Sequence, residues 1–109
     1  MDFEFDAKVF WWRGPAPWHF VAIPEAESAE IKARVGEFTF GWGMIPGTVT
    51  IGGTRWYTAF FEHDRAYVVP IKSAVRRAEG IELDDVVRVR VELGGDYTRA
   101  QRDPALRPE

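Results

Sequence analysis

The sequence predicts a mainly β domain, a small closed barrel of about six strands with two short helices. Three features carry that expectation. Apolar and polar residues alternate with period two in most segments, as they do along strands with one wet face. Paired glycines and glycine–proline clusters separate these segments, which is the punctuation of tight turns. Helical spacing or composition occurs in only two short stretches. Closure into a barrel then follows from the need to hide sheet edges, with an open sandwich as the other option.

The elements follow in order. Phe3, Phe5, Ala7, Val9 and Trp11 share one face of a first strand, and Glu4, Asp6 and Lys8 share the other. Residues 10–12 are apolar on both faces, so that end of the strand runs beneath other structure. Gly14, Pro15, Ala16 and Pro17 break it, because proline removes donors and fixes φ. A second strand spans 18–23, with Trp18, Phe20 and Ala22 on one side, and Pro24 ends it. Residues 25–35 have helical composition; Ser28 is placed to cap that helix, and Gly36 is its natural stop. Phe38, Phe40 and Trp42 alternate with polar or small residues, as do Val49 and Ile51, so both stretches are expected strands. Pro46 and the glycines between them predict a bend over 43–47.

Gly52 and Gly53 signal a two-residue hairpin. The returning strand, 55–61, puts Trp56, Thr58 and Phe60 on one face. A turn at His63, Asp64 and Arg65 leads to a strand over 66–71. Ile71, Ala74, Val75 and Ala78 then recur at the spacing of one helix face, and Gly80 fits the left-handed stop. Val87, Val89, Val91 and Leu93 alternate with Arg88, Arg90 and Glu92 in the clearest strand of the chain. Residues 1–97 therefore read as a single domain. Residues 98–109 read as a polar C-terminal tail with little to bury, expected to be disordered.

Composition bounds the function. An apolar fraction of 46% and an aromatic fraction of 15% in 109 residues are enough for a core without staples. The absence of cysteine rules out disulfides and thiolate chemistry. A net charge of −3 argues against a surface devoted to neutralising phosphates. The acidic N-terminus is wrong for a signal peptide, and no apolar run reaches the ~20 residues of a membrane helix. A cytoplasmic location without membrane association is the expectation.

Two stretches carry a resemblance. One runs from Gly43-Met44-Ile45-Pro46-Gly47 through Gly52-Gly53 to Trp56-Tyr57-Thr58. The other runs from Pro70-Ile71-Lys72-Ser73 through Arg76-Arg77 and Gly80 to Asp85-Val86-Val87. Together they resemble the bacterial DUF1905 family, a domain of unknown function, over most of residues 3–93. The resemblance implies a compact six-stranded closed barrel with short helices and no established activity. Gly47, Ala59 and Asp84 depart from its usual pattern, which has an apolar residue, a serine and a glycine there. The segment from Val69 to Val87 also resembles the repeating element of swapped-hairpin barrel transcription factors, although no basic arm is present.

No catalytic set emerges. His19 and His63 lack partners at ligand spacing, so neither marks a metal site, and no cofactor motif is present. Glu4 and Asp6 share a strand face with Lys8 and read as a solvated edge. Arg88 and Arg90, with Lys72, Arg76 and Arg77 nearby, offer a nucleic-acid surface. Interspersed acids, with an Arg76–Asp85 ion pair as the example, disfavour that reading. The five tryptophans exceed what one small core comfortably holds, so one or two are expected to line a cleft or an association surface. The expectation is a non-enzymatic module that binds a small molecule or a protein. Trp42, Trp56, Lys72 and Arg76 are its candidate ligand-binding residues, and an enzyme pocket using Lys72 and Arg76 near Trp56 is the alternative.

Overall fold

The computed structural model describes residues 1–14, 16–34 and 44–94. The expected strand through Phe38, Phe40 and Trp42, the stop at Gly36 and the tail over 98–109 lie outside the described residues. Along the chain the elements are β1 (Asp2–Lys8), β2 (Phe10–Trp11), β3 (His19–Ala22), α1 (Glu25–Ala33), β4 (Ile45–Ile51), β5 (Thr54–His63), β6 (Ala66–Pro70), α2 (Ser73–Glu79) and β7 (Val86–Leu93). The strands form one antiparallel sheet in the order β1-β7-β4-β5-β6-β3-β2.

That sheet is a curled half-barrel, open rather than closed, which corrects the expected closed barrel of about six strands. Closure fails because the two edge strands, which come from one segment divided at Val9, do not pair with each other. The first apolar–polar segment is not one strand; it divides there into β1 and β2. The Val9 N–H donates to the Asp85 carbonyl at 2.8 Å, and its carbonyl accepts from Asp84 N–H at 2.9 Å. One half of the segment therefore serves β7 and the other half serves β3. The two strands at the sheet's edges are consecutive in the chain and do not pair with one another.

Inward-facing residues alternate as period two demands. Ile45, Gly47, Val49 and Ile51 of β4 are buried, as are Trp56 and Phe60 of β5 and Val89, Val91 and Leu93 of β7. With Phe5, Val21, Val69 and Ile31 of α1 they form one core. The expected bend over 43–47 is replaced by regular strand from Ile45. Pro46 fits because the β4–β7 ladder starts only at Gly47, so a missing N–H there breaks no bond to β7. An added Cβ at Gly47 would lie 2.6 Å from Leu93 Cδ2 and 2.9 Å from Phe60 Cε2. Those two side chains occupy the volume that an apolar residue would take at this position.

The turns follow their residues. Gly52 takes φ +57° in the β4–β5 hairpin. Asp64 and Arg65 take φ +52° and +68° between β5 and β6, the left-handed pair that matches strand twist in a two-residue hairpin.

Helix α1 starts at Glu25 after Pro24, with no side-chain cap. Glu25 and Glu27 sit in its first turn, where carboxylates complement the helix dipole. Ser28 is thus inside the helix, correcting its expected role as a cap. Its buried hydroxyl donates to the Ile23 carbonyl at 3.0 Å and accepts from Tyr67 N–H at 3.1 Å, tying α1 to β6. Helix α2 ends at Gly80, whose φ of +63° is the left-handed stop expected there. Its expected apolar face is only partly realised: Val75 is buried, but Ala74 and Ala78 are exposed. Half-buried Arg76 and Glu79 take the remaining inward positions, their stems covering apolar surface while their heads find polar partners.

Candidate functional site

The end of the sheet where β2, β3 and α2 meet differs from the rest of the surface. Trp11 and His19 are directly opposed across the β2–β3 ladder, so their Cβ atoms are about 5 Å apart. Trp11 is 51% exposed and Trp18 is 46% exposed. Trp18 also holds φ +67°, a left-handed conformation that disfavours a bulky L-residue by about 1–2 kcal/mol. The strain is held by its surroundings, since the Trp18 carbonyl accepts from Trp12 N–H at 3.1 Å.

His19, opposite Trp11 in the ladder and next to Trp18 in the chain, contacts α2. Its Nδ1 lies 3.2 Å from the Pro17 carbonyl and its Nε2 lies 3.4 Å from Arg76 Nη1. The two contacts are compatible in one tautomer: neutral imidazole, with Nδ1–H donating to Pro17 and Nε2 accepting from Arg76. Arg76 Nε donates to the Ile71 carbonyl at 3.3 Å, and Nη2 donates to Ser73 Oγ at 3.1 Å. The guanidinium is thereby tethered on three sides by neutral acceptors. It opens onto a shallow groove of about 400 Å³ lined by Ser73, Arg76, Arg77, Gly80, Ile81 and Glu82.

Of the residues singled out from sequence, Arg76 is the one that lines this groove. Trp56 lies in the core, 2% exposed, and its indole N–H has no hydrogen-bond partner among the described residues. Lys72 is the residue preceding α2, half-buried and outside the groove lining. Trp42 lies outside the described residues. The Arg76–Asp85 ion pair does not form: the Asp85 carboxylate accepts from Glu82 N–H at 2.8 Å, closing the turn before β7. Trp11, Trp18 and His19 were not singled out as site residues. The signals for them were an aromatic immediately after Pro17 and the pairing of the first two strands.

A second aromatic group lies outside the main core. Trp12 stacks on His63 with ring centroids 3.7 Å apart and planes 18° from parallel. Phe20 lies 5.4 Å and Phe61 6.0 Å from Trp12, both tilted. Such pairs add about 0.5–1.5 kcal/mol beyond their buried area. An added Cβ at Gly14 would meet the Trp12 ring at 2.6 Å, so the loop backbone closes over that ring. His63 is thereby a packed imidazole.

The arginine surface on β7 is electrically matched. Arg88 contacts Glu4 at 3.2 Å and Asp6 at 3.4 Å; Arg90 contacts Glu4 at 3.4 Å and Glu92 at 3.7 Å. Hydrogen bonding to Glu4 raises the Arg88 pKa further above its ordinary value. Lys32 is likewise held above its ordinary value by its hydrogen bond to Glu62. Burial pushes the Tyr67 phenol up.

No curated protein matches the chain. The family model described as a domain of unknown function, DUF1905, matches residues 5–91, and the chain belongs to that family.

Proposed function

We propose that the domain is a non-enzymatic binding module whose ligand or protein partner docks around His19 and Arg76, near the exposed Trp11 and Trp18. The observation that carries this reading is the contact of His19 with a tethered guanidinium, with two half-exposed tryptophans at the positions opposite and before His19. Exposed tryptophan and arginine are the residue types that dominate binding energy at interfaces. The left-handed backbone at Trp18 supports it, since strain of this kind persists where the surroundings over-determine it and gathers at ligand clamps.

The test is a fragment screen followed by the indole N–H and arginine Nε–H signals in nitrogen-15 spectra. Hits that move Trp11, Trp18 and Arg76 together support the reading. Hits that gather elsewhere, or a library that moves none of these signals, end it. Nucleic-acid binding through Arg88 and Arg90 draws less support, because acids on β1 and β7 already match those charges. A gel shift at low salt tests it.

A further inference from the structure

We infer that the ligand at this end is a small molecule bearing a carboxylate or phosphate oxyanion, gripped by Arg76. The inference rests on the binding reading above and names the chemistry it would recognise. Arg76 has five N–H donors, and its tethers to Ile71, His19 and Ser73 use three. Two remain unused by these contacts, on a residue that lines the groove, and guanidinium N–H groups are well suited to an oxyanion. None of the three tethers is an acid, so the fork is oriented without its charge being neutralised.

The neighbours point the same way. Lys72 precedes α2 and Arg77 adjoins Arg76 on it, and among the described residues none of the three makes an ion pair. The cations of β5 and β7 are each matched by carboxylates: Arg55 contacts Glu92, Arg88 contacts Glu4 and Asp6, and Arg90 contacts Glu4 and Glu92. Among the described residues Glu82 is the one acid lining the groove, and it opposes an anion there. A groove with a pre-oriented guanidinium and a further arginine against that single acid favours an anionic occupant.

The experiment titrates the whole chain with inorganic phosphate, benzoate and benzamide, following the Arg76 Nε–H and Trp11 indole signals in chloride buffer. Benzoate and benzamide share a ring and differ in charge, while phosphate separates the two oxyanion sources. Phosphate and benzoate should each saturate with Kd on the order of millimolar, and benzamide should bind at least about tenfold more weakly. Arg76→Met should abolish the difference between benzoate and benzamide. Arg76→Lys keeps a charge without the fork and should retain only part of it. Glu82→Gln should tighten both anions by about twofold to fivefold, and Arg88→Gln should leave them unchanged.

Should Arg76→Met disturb the fold, the Arg76→Lys and Glu82→Gln variants still decide the matter. Equal binding of benzoate and benzamide, insensitive to these variants, overturns the oxyanion assignment while leaving the aromatic end as a binding site. Failure of phosphate and benzoate to move Arg76 at tens of millimolar also overturns it. Loss of every fragment hit at Trp11 and Trp18 is the separate result that would remove the binding reading itself.

Discussion

The β1–β7–β4 side of the sheet and the β2–β3–α2 end are built from similar residues and solve opposite problems. On the first side, strand registry sets Glu4 opposite Arg90 and Asp6 opposite Arg88, so cross-strand neighbours neutralise each other. Alternation is regular, and Phe5, Val89 and Val91 point inward. At the second end, two tryptophans are half exposed, one of them holds a left-handed backbone, and Lys72 and the two arginines of α2 lack ion-pair partners among the described residues. A surface whose charges and rings are internally satisfied has little left to offer a partner. The contrast, rather than the number of arginines, is what favours the second end over β7 in the proposed function.

The largest effect tests whether the two regions share one core. Phe60 is fully buried and fills the space left by Gly47, so Phe60→Ala should cost about 3–5 kcal/mol in urea unfolding. Hydrogen exchange should show both regions losing protection together. If β2 and β3 open alone, the comparison sharpens into two units of different stability. Ser28→Ala comes next. It strips Tyr67 N–H of its acceptor and should cost about 1–3 kcal/mol, seen as a lower denaturant midpoint.

Trp18→Gly should move the other way. Relief of the left-handed strain should raise stability by about 1 kcal/mol, while binding at the aromatic end weakens. A variant that loses stability would show that the indole packs rather than waits for a ligand. Tyr67→Phe probes pH. Because burial raises the Tyr67 pKa above 10.0, the unfolded chain releases this proton first as pH rises. The stability it supports is complete below 10.0 and is lost as pH climbs through the folded value. Tyr67→Phe should flatten that alkaline decline, measured as Tm between pH 9 and 11. The smallest effect belongs to Glu4→Gln. Its exposed pairs with Arg88 and Arg90 should leave the unfolding midpoint nearly unchanged; a clear drop would show that the matched face is structural rather than merely satisfied.

Local rules made much of the fold legible. Trp56 and Phe60 share a buried face as the alternation requires, Gly80 stops its helix, and Val89, Val91 and Leu93 point inward. What was not legible depends on residues distant in the chain. The break at Val9 is fixed by Asp84 and Asp85, and Ser28 is buried because Tyr67 needs an acceptor. Ala74 and Ala78 follow helical spacing, yet α2 sits on the sheet with Val75, Arg76 and Glu79 turned inward. Arg76, which lines the groove, was legible as a candidate. Its tether to His19 was not, because a register between β2 and β3 cannot be read from either strand alone.

The arrangement of β1 has a consequence for birth on the ribosome. Among the described residues its only ladder partner is β7, while β2 docks on the much nearer β3. During synthesis Phe3 and Phe5 must stay unpaired until β7 has emerged, more than 80 residues later. Such distant pairings slow folding and leave sticky chain uncovered meanwhile. The acids interleaved with those rings, Glu4 and Asp6, give the nascent segment a solubilising charge before Arg88 and Arg90 exist to meet it.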